Sequence, residues 1–157
     1  MAFEIAKKHL DEMGFGDRVM VFDVSSATVE LAAKAVGTEP ARIAKSMSFM
    51  VDGKPVLVIL AGDVKVNNGK FKAAFHTKAK MLGHDEVGAL IGHEVGGVCP
   101  FGIKEDVAVY LDASLRRFDT VYPACGSSNS AVRLSVAELE KASGACGWVD
   151  VAVMIGE

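Results

Sequence analysis

Cysteine, proline and tryptophan are scarce in this chain, at 3, 4 and 1 of 157 residues. Cys99, Cys125 and Cys146 form no C-x-x-C pair, and their odd number argues against a disulfide framework and for a reducing compartment. His9, His76, His84 and His93 never fall into an H-x-x-x-H pair. Neither residue type offers the spacing of a metal site, so no metal and no cofactor is expected. Long hydrophobic runs are missing too: the longest, residues 56–61, has the length of a strand and not of a membrane span. Near the start, Lys7, Lys8, His9 and Asp11 interrupt the stretch that a signal peptide would keep apolar. A cytoplasmic protein with no membrane partner is expected.

What is present fits one ordered domain over residues 1–157. With 50% hydrophobic and 24% charged residues, the composition suits a domain that buries roughly 70% of its unfolded surface and is not that of a disordered chain. The net charge of −3 gives no hint of a nucleic-acid partner, but its distribution does. Lys65, Lys70, Lys72, Lys78 and Lys80 fall between Val64 and His84 with no Asp or Glu among them, so that segment carries +5 and the remainder −8. Such a run is either a solvated helix face or a local phosphate-contacting patch whose binding weakens with salt. Composition does not choose between them.

Periodicity sets out the elements. Phe3, Ala6, Leu10 and Met13 mark one face of a helix over residues 3–13, stopped by Gly14. A Val- and Phe-rich strand is expected over 18–24, then a helix over 27–36 capped by Ser26 and closed by Gly37. The clearest local signal is Asp52-Gly53 between strand-like runs at 45–51 and 54–61, a two-residue hairpin turn. Short helices follow at 67–75 and 85–91, and strands at 107–111, 120–124, 131–134 and 148–153. Ser135 and Glu138 form a capping box that opens a helix. The expected class is α/β of the α+β type. About seven strands form a mixed, largely antiparallel, barrel-like sheet with helices around it.

Three constellations could carry chemistry. The first is the loop at 92–102, with four glycines and Pro100; adjacent glycines such as Gly96 and Gly97 let main-chain N–H groups turn toward a phosphate or a developing oxyanion. It matches neither a P-loop nor a dinucleotide-binding glycine fingerprint. The second is Lys45, at the head of a strand among small or apolar neighbours; its ammonium either reaches solvent or points at an anion. The third is Cys99 with His93 six residues before it, a thiol-enzyme reading set against an inert buried thiol.

Taken in order, these residues resemble the YbaK/ProX aminoacyl-tRNA editing family. The resemblance is carried by Ala44-Lys45-Ser46, Leu60-Ala61-Gly62-Asp63, the run from Gly96-Gly97 to Pro100-Phe101-Gly102, Tyr110-Leu111-Asp112 with Ser114-Leu115, Pro123-Ala124, and Gly126-Ser127-Ser128-Asn129. It covers nearly the whole chain. It implies a barrel-like mixed sheet and hydrolysis of the ester joining a misattached amino acid to tRNA, by a free-standing enzyme. Aminoacyl-tRNA is the implied partner, with prolyl-tRNA synthetase as a second.

On this resemblance Lys45 matches the family's functional lysine, and Gly96 and Pro100 its G-x-x-x-P loop. Lys45, Gly96 and Gly97 are then the catalytic group, and Ser46, Pro100, Phe101, Gly126 and Asn129 the substrate-binding group. The five lysines become acceptor-stem contacts. A lysine at its ordinary pKa of about 10.4 is a poor general base but a good anion anchor, which assigns Lys45 to binding and electrostatic positioning. One methylene is worth only about 1–3 kcal/mol in a pocket, so synthetases mischarge small amino acids; Ala, Ser, Cys and Thr are the expected cargoes. A non-catalytic module that binds tRNA or a synthetase is the alternative.

Overall fold

The hairpin predicted at Asp52-Gly53 forms the centre of the molecule. The computed structural model describes residues 2–93 and 96–156. In chain order its first half holds α1 (Ala2–Glu12), β1 (Val19–Val21), α2 (Val29–Val36), β2 (Ile43–Val51), β3 (Lys54–Ala61), β4 (Val64–Val66), α3 (Asn68–Phe75) and α4 (His84–Leu90). The second half holds β5 (Ala108–Asp112), β6 (Thr120–Pro123), β7 (Ser130–Val132), β8 (Leu134–Ser135), α5 (Val136–Ser143), β9 (Gly147–Val149) and β10 (Ala152–Met154).

Asp52 and Gly53 take φ of 51° and 78°, as a twist-matched two-residue turn requires. Strands β2 and β3 then pair in register from Val51 with Lys54 to Ala44 with Ala61. That turn makes Val51 and Lys54 a hydrogen-bonded pair, so odd-numbered residues of β2 bond to β3 and even-numbered ones face the opposite edge. Pro55 falls opposite Met50, where no N–H toward β2 is needed.

The hairpin sits within a curled six-stranded sheet in the order β8-β6-β2-β3-β5-β9. Pairs β2/β3 and β6/β8 are antiparallel, whereas β2/β6, β3/β5 and β5/β9 are parallel. Two further antiparallel pairs, β1/β7 and β4/β10, lie outside it. The mixed sheet is as the sequence predicts, with antiparallel pairs in the majority once these outer ones are included. The parallel joins require crossovers, and α3 and α4 lie in the one between β3 and β5.

The core is built on β3, whose residues from Val56 to Ala61 are all buried. Phe49, Phe71, Phe75 and Tyr110 continue it as a chain of ring contacts with centroids 4.8, 4.6 and 5.2 Å apart, a spacing favoured for tilted and edge-on aromatic pairs. Leu10 of α1 and Phe101 are fully buried in the same cluster.

Four elements differ from the sequence expectation. Helix α2 starts two residues later, because Thr28 and not Ser26 caps it: Thr28 Oγ1 accepts from Leu31 N at 3.2 Å. Ser26 is instead buried, its N–H donating to Ser128 O at 2.7 Å. The strand expected over 18–24 shrinks to β1 behind a 3-10 turn at Gly16–Arg18. The strand expected over 131–134 divides into β7 and β8, which join different partners. The one expected over 148–153 divides likewise into β9 and β10, because the Asp112 carboxylate takes the Val151 N–H at 2.8 Å and turns the chain.

Candidate functional site

One edge of β2 has two successive neighbours. At its start β6 pairs only with Ile43 and Ala44, through Tyr122 and Pro123. The chain then leaves, and Ala124 bridges to Ala131. Farther along, residues 80–82 take the edge: Met50 N donates to Lys80 O at 2.8 Å and Leu82 N to Ser48 O at 3.1 Å. Between these neighbours β2 opens onto a cavity of about 270 Å³ that touches Lys45, Ser46 and Met47. Ala27 to Val29 at the start of α2 wall one side, and Met81, Leu82 and Val87 another. Gly96, Val98, Tyr122 and Ser130 are also among its lining residues.

Lys45 is half-buried, and its Nζ donates to the Val64 carbonyl. Burial pushes its pKa below the ordinary lysine value, while the nearby charges of Asp63 and Glu30 pull it back up. The sequence reading took that pKa as unperturbed; desolvation at the cavity changes it. The turn before Val64 is fixed from two sides. Gly62 has no room for a side chain, since a Cβ would lie 2.0 Å from the Pro40 carbonyl oxygen. Asp63 accepts from Arg117 Nη1 at 3.0 Å and Nη2 at 2.5 Å, which holds its carboxyl below the usual range.

The glycine loop is pressed between neighbours. Gly96 takes φ of 93°, and a Cβ there would sit 3.1 Å from the Ala27 Cβ; one on Gly97 would sit 2.7 Å from the Ser127 N. These glycines let the loop lie against the start of α2 and against residues 126–128. Glu94 and Val95 of the same loop lie outside the described residues.

Of the residues singled out in the sequence, Lys45, Ser46 and Gly96 meet at the cavity. Gly97 is buried against Ser127 and does not line the cavity. Pro100 is buried, Phe101 packs in the core with its ring 6.0 Å from His9, and neither lines the cavity. Gly126, at φ of 81°, lies against the Ala2 carbonyl, where a Cβ would approach to 2.6 Å. Asn129 is exposed, with its side chain donating to Phe22 O at 3.1 Å. Lys65, Lys72, Lys78 and Lys80 are exposed; Lys70 is tied to Asp150 at 3.2 Å and to Ala152 O at 3.0 Å.

Cys99 and His93 do meet: His93 Nδ1 accepts from the Cys99 N–H at 3.2 Å and lies 3.8 Å from Sγ. Burial raises the Cys99 thiol far above its ordinary value and lowers that of His93. Both are therefore neutral near pH 7, and the pair lacks the thiolate a nucleophile needs. Among the described residues no group of three or more His, Cys, Asp or Glu is placed to hold a metal ion, and no helix is long and apolar enough to cross a membrane.

Sequence reasoning passed over Ser130, whose hydroxyl is 2.6 Å from that of Ser127, and the wall residues Met81 and Tyr122. Ser130 directly follows the Gly126-to-Asn129 motif, which was the available signal; Met81 and Tyr122 reach the site only through strand pairing.

The chain is similar to known proteins along most of its length. The uncharacterized protein YwhH of Bacillus subtilis (strain 168) is 47% identical over 152 residues, 96% of this chain and 97% of that protein. The proline–tRNA ligase of Bacillus cytotoxicus is 32% identical over 124 residues, 78% of this chain but 20% of the ligase. A solved structure described as a proposed trans-editing enzyme for prolyl tRNA synthetase superposes with a TM-score of 0.87 at 28% identity, over 97% of each chain. A family model described as an aminoacyl-tRNA editing domain matches residues 24–142, a span that contains β2, the cavity and the glycine loop, and the chain belongs to that family.

Proposed function

We propose that the chain is a free-standing aminoacyl-tRNA deacylase that hydrolyses the ester between a small misattached amino acid and tRNA. The observation that carries this reading is a half-buried lysine, Lys45, among the residues that line a small cavity together with Ser46 and Gly96. In the reaction, water adds to the carbonyl carbon to give a tetrahedral oxyanion. The bond to the ribose oxygen then breaks, that oxygen takes a proton, and the amino acid leaves as the free acid. No protein nucleophile is required. Main-chain donors and the Lys45 charge stabilise the developing anion, and the cavity orients ester and water.

Catalysis is assigned to Lys45 with the loop at Gly96 and Gly97. Ser46 contacts the substrate directly, while Pro100, Phe101 and Gly126 hold the loops that enclose it. The small side chains of Ala44, Ser46 and Ser130 on the cavity walls suit Ala, Ser, Cys or Thr. The exposed lysines near Val64 and Met81, together with Asn129, are assigned to the acceptor stem. Likeness to a ligase editing segment and to a trans-editing protein supports prolyl-tRNA synthetase as a partner and the cytoplasm as the place of action.

The test is deacylation of a panel of mischarged tRNAs. Release of a small amino acid that disappears in Lys45→Ala and survives Cys99→Ser is the expected result. Binding of aminoacyl-tRNA with no release from any member of the panel would leave a recognition module in place of an enzyme.

A further inference from the structure

The cavity holds polar groups that the reading above leaves unused: those of the Ser46 main chain. Lys45 and Met47 lie opposite Leu60 and Val58 in the hairpin and spend their main-chain bonds on β3. The alternation of a strand turns the Ser46 N–H and C=O to the other edge, as Met50 N and Ser48 O confirm by bonding to residues 80–82. On that edge the β6 ladder ends opposite Ala44 and the bridge at Phe49 and Met81 begins beyond Ser48. Among the described residues neither reaches Ser46. Its hydroxyl is also buried without a hydrogen-bond partner. Main-chain groups inside a protein are paired in the great majority of cases, so an unpaired set facing a cavity marks a place for a ligand.

A strand residue with a free N–H and C=O on one edge matches a defined partner: one residue that returns a C=O and an N–H, as in a hydrogen-bonded antiparallel pair. An aminoacyl ester is one residue of this kind, with an amino donor and a carbonyl acceptor on the same α-carbon. We propose that the main chain of Ser46 is the subsite for these two groups. The Ser46 N–H donates to the ester carbonyl oxygen and the Ser46 C=O accepts from the α-ammonium. The subsite rests on the editing function above. It holds the part common to every amino acid, so side-chain selection falls to the cavity walls. It also places a main-chain donor where negative charge develops as water adds.

Amide NMR on the intact protein tests this without turnover. The probes are an amide-linked analogue of 3′-alanyl-adenosine and its propionyl counterpart, which lacks the α-amino group. In the free protein the Ser46 amide exchanges with solvent at least about tenfold faster than those of Lys45 and Met47. The alanyl analogue slows that exchange and moves the Ser46 resonance downfield, and the propionyl analogue binds about tenfold or more weakly. Ser46→Pro, which removes an N–H that joins no ladder, abolishes alanyl-analogue binding. Equal protection of Ser46 and its neighbours overturns the subsite, as does a bound analogue that leaves the Ser46 amide unmoved or equal affinity for the two analogues. If neither analogue binds, the editing function fails and the subsite with it.

Discussion

Arg117 grips Asp63 with both terminal guanidinium nitrogens, at 3.0 and 2.5 Å, and the residue after Asp63 supplies the carbonyl to which Lys45 donates. The ion pair thus fixes the turn that anchors the candidate catalytic lysine, and the Asp63 charge favours that lysine's protonated form. Asp63→Asn is expected to lower the Lys45 pKa further and to slow deacylation about two- to tenfold, an effect the size of one hydrogen bond. Titration of the labelled lysine by NMR reads the first effect independently of activity. An unchanged Lys45 titration would show that the pair is structural only.

Acid should weaken the fold in a defined direction. Asp63 and Glu138 have ordinary pKa values of 3.8 and 4.5, and their bonds from Arg117 and Arg18 lower both in the folded state. Groups depressed on folding add stability above their unfolded pKa and lose it as pH falls through the folded value. Melting temperature is therefore expected to fall on acidification below about pH 4.5, more steeply in the native protein than in the double variant Arg18→Ala, Arg117→Ala.

Two glycines should respond oppositely to alanine. At Gly62 an added Cβ would meet the Pro40 carbonyl oxygen at 2.0 Å and Val29 Cγ1 at 2.8 Å. Gly62→Ala is expected to cost about 1–3 kcal/mol of stability. Gly88 lies inside α4 with nothing within 4 Å of the added atom, and Gly88→Ala is expected to add about 0.5–1 kcal/mol. Urea denaturation measures both.

Thiol reactivity should sort by burial. Cys146 is exposed, whereas Cys99 and Cys125 are buried, and burial pushes the Cys125 thiol up to about 12. Iodoacetamide under native conditions is expected to modify Cys146 alone, as peptide mass mapping would show, with deacylation unaffected. Labelling of Cys99 in the folded protein would reopen the thiol mechanism.

Features set by neighbouring residues were legible in the sequence, and those set by distant ones were not. Asp52-Gly53 specifies its turn locally, and the hairpin follows with its register. The Ser135 and Glu138 capping box is equally local, and its two reciprocal bonds form at 2.8 and 3.0 Å. At the start of α2, Ser26 and Thr28 are both acceptable caps. Burial of Ser26 against Ser128 decides for Thr28, and no local rule contains that contact. The break between β9 and β10 depends on the Asp112 carboxylate, 39 residues away. Lys45 stood out because a charge in an apolar strand is anomalous wherever the strand lies. Phe101, placed in the substrate-binding group on the resemblance, packs in the core: in sequence, an aromatic residue beside a glycine loop looks the same whether it faces a ligand or the core. The opening at Ser46 follows from where β6 departs and residues 80–82 arrive, which is a property of the assembled sheet.

The pairing of β4 with β10, Val64 opposite Met154 and Val66 opposite Ala152, has a consequence for synthesis on the ribosome. The hairpin bearing Lys45 can close as soon as it emerges, because its contacts are local and fast to form. Among the described residues, the strand carrying the lysine's carbonyl anchor pairs only with residues 152–154, which emerge much later. A nascent chain therefore carries its charged side chain long before that side chain is held in place, and the candidate site is completed late in translation.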